Sequence, residues 1–106
     1  MINNIEALKK ACAVRSLVVE IPGTGESVTL RELSVKDRSD HLKMAKDTPD
    51  HMHQTAFLVA RSCEGLTDDD IPELMELGAD HVQFLSTQVL KLSGLLKTDI
   101  EEEVKN

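Results

Sequence analysis

The spacing of apolar residues changes twice along the chain. In "INNIEALKKAC" (2–12), Ile5, Leu8 and Cys12 recur three and four apart, on one face of a short helix. The repeat then drops to two. "VRSLVVEI" places Leu17, Val19 and Ile21 on one side of a strand, and "PGTG" supplies a turn with two glycines. "ESVTLREL" alternates again, with Val28 and Leu30 inward and Ser27, Thr29 and Arg31 outward. Two alternating runs around a glycine-containing turn predict a β-hairpin.

From Ser34 onward the period is helical. Ser34 with Asp37 three residues on is a weak form of the capping box. The helix "VKDRSDHLKMAKD" is mostly charged and offers only Val35, Leu42 and Ala45 as an apolar line. It must end before Pro49, because the residue preceding proline is pushed out of helical geometry. Thr48 and Pro49 then read as the cap and first position of "DHMHQTAFLVARSC", where Met52, Ala56, Val59 and Cys63 align and Gly65 closes the helix. Thr67 caps a short helix that begins with Asp68, Asp69 and Asp70, carries Pro72 early and stops at Gly78. Asp80 is the expected cap of the last helix, "HVQFLSTQVLKLSG". Its stripe Val82, Leu85, Val89, Leu92 continues to Leu96, and Gly94 closes it.

The predicted fold class is therefore α+β and mostly helical. One β-hairpin in the N-terminal half packs on about four to five short helices. Residues 1–96 form a single globular domain, and 97–106, "KTDIEEEVKN", form a charged C-terminal tail. A length of 106 residues agrees with one domain.

Composition narrows the function. A net charge of −7 from 12 basic and 19 acidic residues disfavours nucleic acid, which demands a basic surface. Two Phe, with no Trp or Tyr, leave few platforms on which bases stack. No apolar run is long enough to span a bilayer, so no membrane association is expected. "MINNIEALKK" lacks a basic region followed by an apolar stretch, so no secretory signal is expected. Cys12 and Cys63 share no motif and read as small buried apolar side chains in a reducing cytosol.

Catalytic and metal chemistry find no support. The aspartate run needs no ion to explain it, because acidic residues in a first helical turn face the positive end of the helix dipole. His51 and His53 point about 200° apart on a helix and cannot share a metal. No Gly-x-Ser-x-Gly elbow occurs, neither cysteine has an activating neighbour, and "PGTGES" precedes a strand where a phosphate loop precedes a helix. An acyl carrier protein would need Asp-Ser-Leu opening a helix, but "RSD" has the wrong order. A helix-turn-helix reader would need basic residues where "LGADHVQFLSTQVLK" has one lysine. The chain is expected to be no enzyme and to carry no cofactor or metal.

The order of segments is more informative. A hairpin leads through "LRELSVKDR" into a charged helix, followed by "HMHQTAFLVARSC" and then "GLTDDDIPELMELGADHVQFLSTQVLKLSGL". Over residues 15–96 this resembles the tail assembly chaperones of long-tailed bacteriophages. The matching residues are Leu30 to Arg38, Leu58 to Ser62, Thr67 to Ile71, Leu74 to Asp80 and Leu90 to Leu95. The chain departs from that family in its N-terminal helix and in lacking aromatic residues around the third helix start.

The resemblance implies binding without catalysis. Such a chaperone holds the tape-measure protein, a very long helical chain, soluble until tail-tube subunits polymerise around it. It also implies a longer frameshifted product that recruits the tail-tube protein, residence in the host bacterial cytoplasm, and absence from the mature virion. A partner helix would need an apolar groove. Phe84 and Leu95 lie beside the stripe of the last helix and Phe57 and Leu58 lie off the stripe of theirs, so these four are the expected partner-binding residues. The free hairpin edges are the expected route to self-association. The competing reading is a small acidic regulator or inhibitor acting through its surface, for example as a DNA mimic.

Overall fold

The computed structural model describes residues 1–95; Leu96 and the tail 97–106 lie outside the described residues. In chain order the elements are α1 (Ile5–Ala11), β1 (Ser16–Glu20), β2 (Ser27–Arg31), α2 (Val35–Asp47), α3 (His51–Ser62), α4 (Ile71–Leu74) and α5 (Ala79–Leu92). A 3₁₀ turn, Asp68–Asp70, leads directly into α4. The fold is mostly helical α+β, with one antiparallel hairpin in the N-terminal half.

The hairpin runs in unbroken register from Ser16 opposite Arg31 to Glu20 opposite Ser27. Its turn needs two left-handed residues, and Gly23 (φ 78°) and Gly25 (φ 74°) supply them without a Cβ penalty. On the inner face Val19 and Leu30 are buried and Ile21 and Val28 pack on the core, while Leu17 at the end of that face is exposed. Such a hairpin is marginal alone, and four contacts fasten it to the helices. Cys63 forms a bridge to Leu30, and Glu64 N–H donates to the Thr29 carbonyl at 2.9 Å, covering the outer edge of β2. Arg15 Nη2 donates to the Leu92 carbonyl at 2.7 Å, where the end of α5 has orphan acceptors. Leu33 N–H donates to Ser93 Oγ at 2.9 Å.

Helix α3 is the hub. Thr55 through Ala60 are all buried, as are Ser62 and Cys63, and α3 packs against α2, α4, α5 and the 3₁₀ turn. A helix apolar on nearly every side belongs inside a bundle. Across from it α5 contributes Val82, Leu85, Val89 and Leu90, all buried, with Leu92 half-buried at its end. Helix α5 ends in a Schellman turn: Gly94 takes φ 76°, and Leu95 N–H donates to the Leu90 carbonyl at 2.7 Å.

Four local expectations are corrected. Helix α3 is capped by Asp50, whose Oδ1 accepts from Met52 N–H at 3.0 Å, so Thr48 and Pro49 precede the helix and do not open it. Helix α5 begins behind Gly78, and Asp80 sits inside its first turn without capping it. The apolar line of α2 faces the wrong way: Val35 and Leu42 are exposed, while His41 is buried and Met44 packs on the core. Polar contacts described below set that rotation. Finally, α1 buries no residue, so Ile5 and Leu8 are exposed and Cys12 is not the buried side chain expected; only Cys63 is.

Candidate partner-binding surface

The four expected partner-binding residues do not share one surface. Phe57 and Leu58 are buried, because α3 is covered by neighbours on the sides where a groove would open. The Phe57 ring stacks with the His41 ring, 6.0 Å away at 28°, and carries the Arg61 guanidinium 4.7 Å from its centroid. It is mortar between α2 and α3. Phe84 and Leu95 are half-buried and pack against the core edge. For Leu95 the Schellman turn is the cause, since this turn brings the residue after the glycine back onto the last helical turn. Phe84→Ser is expected to cost about 1–2 kcal/mol, as for a half-buried aromatic. Leu85→Ser is expected to cost about 4 kcal/mol or more, because it opens a cavity and buries a hydroxyl. Thermal melts that coincide for the two variants would place Phe84 fully in the core.

The most elaborate polar arrangement is centred on Arg61, the one basic residue of "HMHQTAFLVARSC". Its Nε and Nη2 grip both oxygens of Asp68 at 2.7 and 2.9 Å. Its Nη1 donates to Asp37 Oδ1 at 3.1 Å and Asp40 Oδ2 at 2.8 Å. One guanidinium thereby ties α2, α3 and the 3₁₀ turn together. The planar fork suits several carboxylates at once, which an ammonium would not. Hydrogen bonding, first from Arg61 and then from Lys36, holds the Asp40 carboxyl below its ordinary value. The Asp68 bond is the chief reason the Arg61 guanidinium is held more firmly protonated than usual.

This cluster also answers where the aspartate run goes. Asp68 faces Arg61, and Asp70 Oδ2 accepts from Thr67 N–H at 2.8 Å, completing a capping box. Ser34 and Asp37 make the other box, through Asp37 N–H to Ser34 Oγ at 3.0 Å and Ser34 N–H to Asp37 Oδ2 at 3.1 Å. An open cleft of about 460 Å³ runs beside the cluster, lined in part by Arg31, Leu66, Thr67 and Asp69. The Arg61 guanidinium already spends four of its five N–H donors on carboxylates, so the arrangement acts as a clamp. Burial pushes the Cys63 thiol up, away from the thiolate that nucleophilic chemistry needs.

Unmatched apolar surface lies elsewhere. Of the eleven exposed large hydrophobic residues among those described, seven fall within the first 18 positions: Met1, Ile2, Ile5, Leu8, Val14, Leu17 and Val18. Isolated exposed apolar side chains are ordinary; here they concentrate in one stretch of the chain. The segment also carries a sheet edge. Ile21 N–H donates to the Glu26 carbonyl and Glu32 N–H to the Arg15 carbonyl, so odd-numbered residues of β1 face β2. Ser16, Val18 and Glu20 therefore direct their backbone N–H and C=O groups outward, where no partner meets them among the described residues. The groove expectation does not include this arm. The signal was present in "SLVVE", where Val18 breaks the alternation by adding an aliphatic side chain to the polar face.

No protein-family model, curated protein or solved structure matches the chain.

Proposed function

We propose that this chain is a phage tail assembly chaperone: it binds the tape-measure protein, keeps it soluble, and helps bring tail-tube subunits to it. The observation that carries the reading is the apolar N-terminal arm. A helix that buries nothing of its own, displayed on a well-packed helical body, suits a protein that shields apolar stripes on a long helical partner. The segment order from Leu30 to Leu95 supports the same reading by resemblance.

In this role the partner is an amphipathic helix of the tape-measure protein, held by Ile5 and Leu8 with Phe84 and Leu95 as a second, half-buried patch. Many copies along one tape-measure chain give avidity from individually weak contacts, which also permits release when the tube forms. The tail-tube protein enters through a longer frameshifted form. The work is done in the host bacterial cytoplasm, and the mature virion lacks the chaperone.

The acidic-regulator reading is less well supported, because Asp37, Asp40 and Asp68 direct their charge onto Arg61 and not outward as a mimic of DNA phosphates would. The experiment is co-purification of the tagged full chain with the product of a long helical reading frame next to its gene. Retention of that product supports the proposal. A neighbourhood without such a frame, or a product that does not bind, overturns it.

A further inference from the structure

We propose that β1 pairs antiparallel with β1 of a second copy about a two-fold axis through Val18, joining two hairpins into one four-stranded sheet. The proposal goes beyond the tape-measure reading and does not depend on it. Natural edge strands are usually protected by proline, lysine, a bulge or a covering element. The two edges of this hairpin differ in that respect. The outer edge of β2 is covered by Cys63 and Glu64, whereas Ser16–Glu20 holds no proline, lysine or bulge and its outer edge is open among the described residues.

The register follows from which groups point outward. Only Ser16, Val18 and Glu20 offer N–H and C=O groups on that edge, so an antiparallel partner must match these positions with one another. Centring the axis on Val18 pairs all five strand residues, with Val18 opposite Val18, Ser16 opposite Glu20, and Leu17 opposite Val19. Centring it on Glu20 would set two carboxylates against each other and pair fewer residues. The Val18 register buries the side chain that is 68% exposed in the monomer and gives Leu17, 44% exposed, an aliphatic neighbour.

Charge agrees with the same register. Arg31 stands opposite Ser16 in β2, on the same face of the sheet. In the dimer the row across that face reads Arg31, Ser16, then Glu20 of the second copy. The small serine leaves a long arginine room to reach the carboxylate. Both residues are exposed, and neither forms an ion pair among the described residues. The two-fold axis makes this contact twice.

The test is the mass of the full chain in solution by light scattering across a concentration series, with Val18→Lys as the disrupting variant. Val18 is exposed, so the monomer should tolerate lysine, while the two-fold would set two ammonium groups face to face. The wild type is expected to dimerise, and Val18→Lys to remain monomeric with an unchanged circular dichroism spectrum. A wild type that stays monomeric to its solubility limit, or a Val18→Lys variant that still dimerises, overturns the proposal.

Register is read separately by oxidative cross-linking in a Cys12→Ser background. Val18→Cys should cross-link to itself, because residues paired at the axis stand about 5.5 Å apart, within disulfide reach. Ser16→Cys and Glu20→Cys should not; the reverse result excludes this axis. Glu20→Arg should weaken the dimer by roughly fivefold. Adding Arg31→Glu should restore it, and failure of that rescue removes the ion pair from the account.

Discussion

Leu30→Ala is expected to remove about 3–4 kcal/mol of stability, the middle of the range for a buried leucine. Leu30 has no exposed surface; it is where the hairpin, the end of α3 and the helical core meet. A cavity there cannot be filled by solvent, and the neighbouring backbone is fixed by its bridge to Cys63, so collapse is restricted. For a domain of this size the loss is a large part of the total, and it corresponds to a fall in melting temperature of about 15–25 °C. In the monomer, Val18→Ala, on the open face of the same sheet, should change stability by less than about 0.5 kcal/mol. Urea and thermal melts of the two variants decide the matter. A loss below about 1 kcal/mol for Leu30→Ala would mean that the hairpin is not anchored through this residue.

The second large effect belongs to Arg61. Arg61→Ala leaves Asp37, Asp40 and Asp68 facing one another without their shared cation, and takes the guanidinium off the Phe57 ring. Breaking a fully buried pair costs roughly 3–5 kcal/mol. Arg61 is 21% exposed and Asp68 50%, so solvent screening lowers the expected loss to about 2–3 kcal/mol. Arg61→Lys should recover only part of it, because a single ammonium cannot grip Asp68 with two donors while reaching α2.

The pH dependence has a definite sign. The carboxyls of Asp40 and Glu32 are held below their ordinary values, by hydrogen bonds first from Arg61 and Arg15 respectively. Their contribution is present above the unfolded carboxylate value, about 4, and is lost as pH falls through the folded values. The stability gap between wild type and Arg61→Ala should therefore narrow from pH 7 to pH 3, because acid removes the Asp40 contribution from the wild type. An equal gap at both pH values would assign the effect to packing of the arginine stem.

These residues also show what the sequence makes legible. The Ser34–Asp37 capping box, the Thr67 cap and the glycine-containing hairpin turn depend on residues a few positions apart, so local chemistry is enough to find them. The Arg61 clamp joins residues 7, 21 and 24 positions apart, and no local rule connects them. Even so, all of its residues but Asp40 come from "LSVKDR", "LVARS" and "TDDDI", three of the stretches that carry the family resemblance. That places part of the resemblance in the scaffold that holds α2, α3 and the 3₁₀ turn together. The clamp also explains why α2 turns Val35 and Leu42 outward: Asp37, Asp40 and His41 must face α3, and the apolar line follows to the opposite side.

The burial of the four residues expected at a partner surface was harder to read for a different reason. A stripe on a helical wheel locates one buried face, but it does not count how many neighbours a helix has. Helix α3 has neighbours on most sides, which places Phe57 and Leu58 in the core. Helix α1 has a short stripe, Ile5 and Leu8, and none of its residues is buried among the described residues.

Exchange of that stripe gives the most direct test of the proposed function. Ile5→Ser with Leu8→Ser should leave the melting curve unchanged, because α1 buries nothing in the folded chain. The measurement is the soluble fraction of the tape-measure protein when co-expressed with the full-length wild type or with this double variant. Wild type that keeps the partner in solution, and a folded double variant that lets it precipitate, is the result predicted here. A partner that precipitates with both, or stays equally soluble with both, would contradict the account.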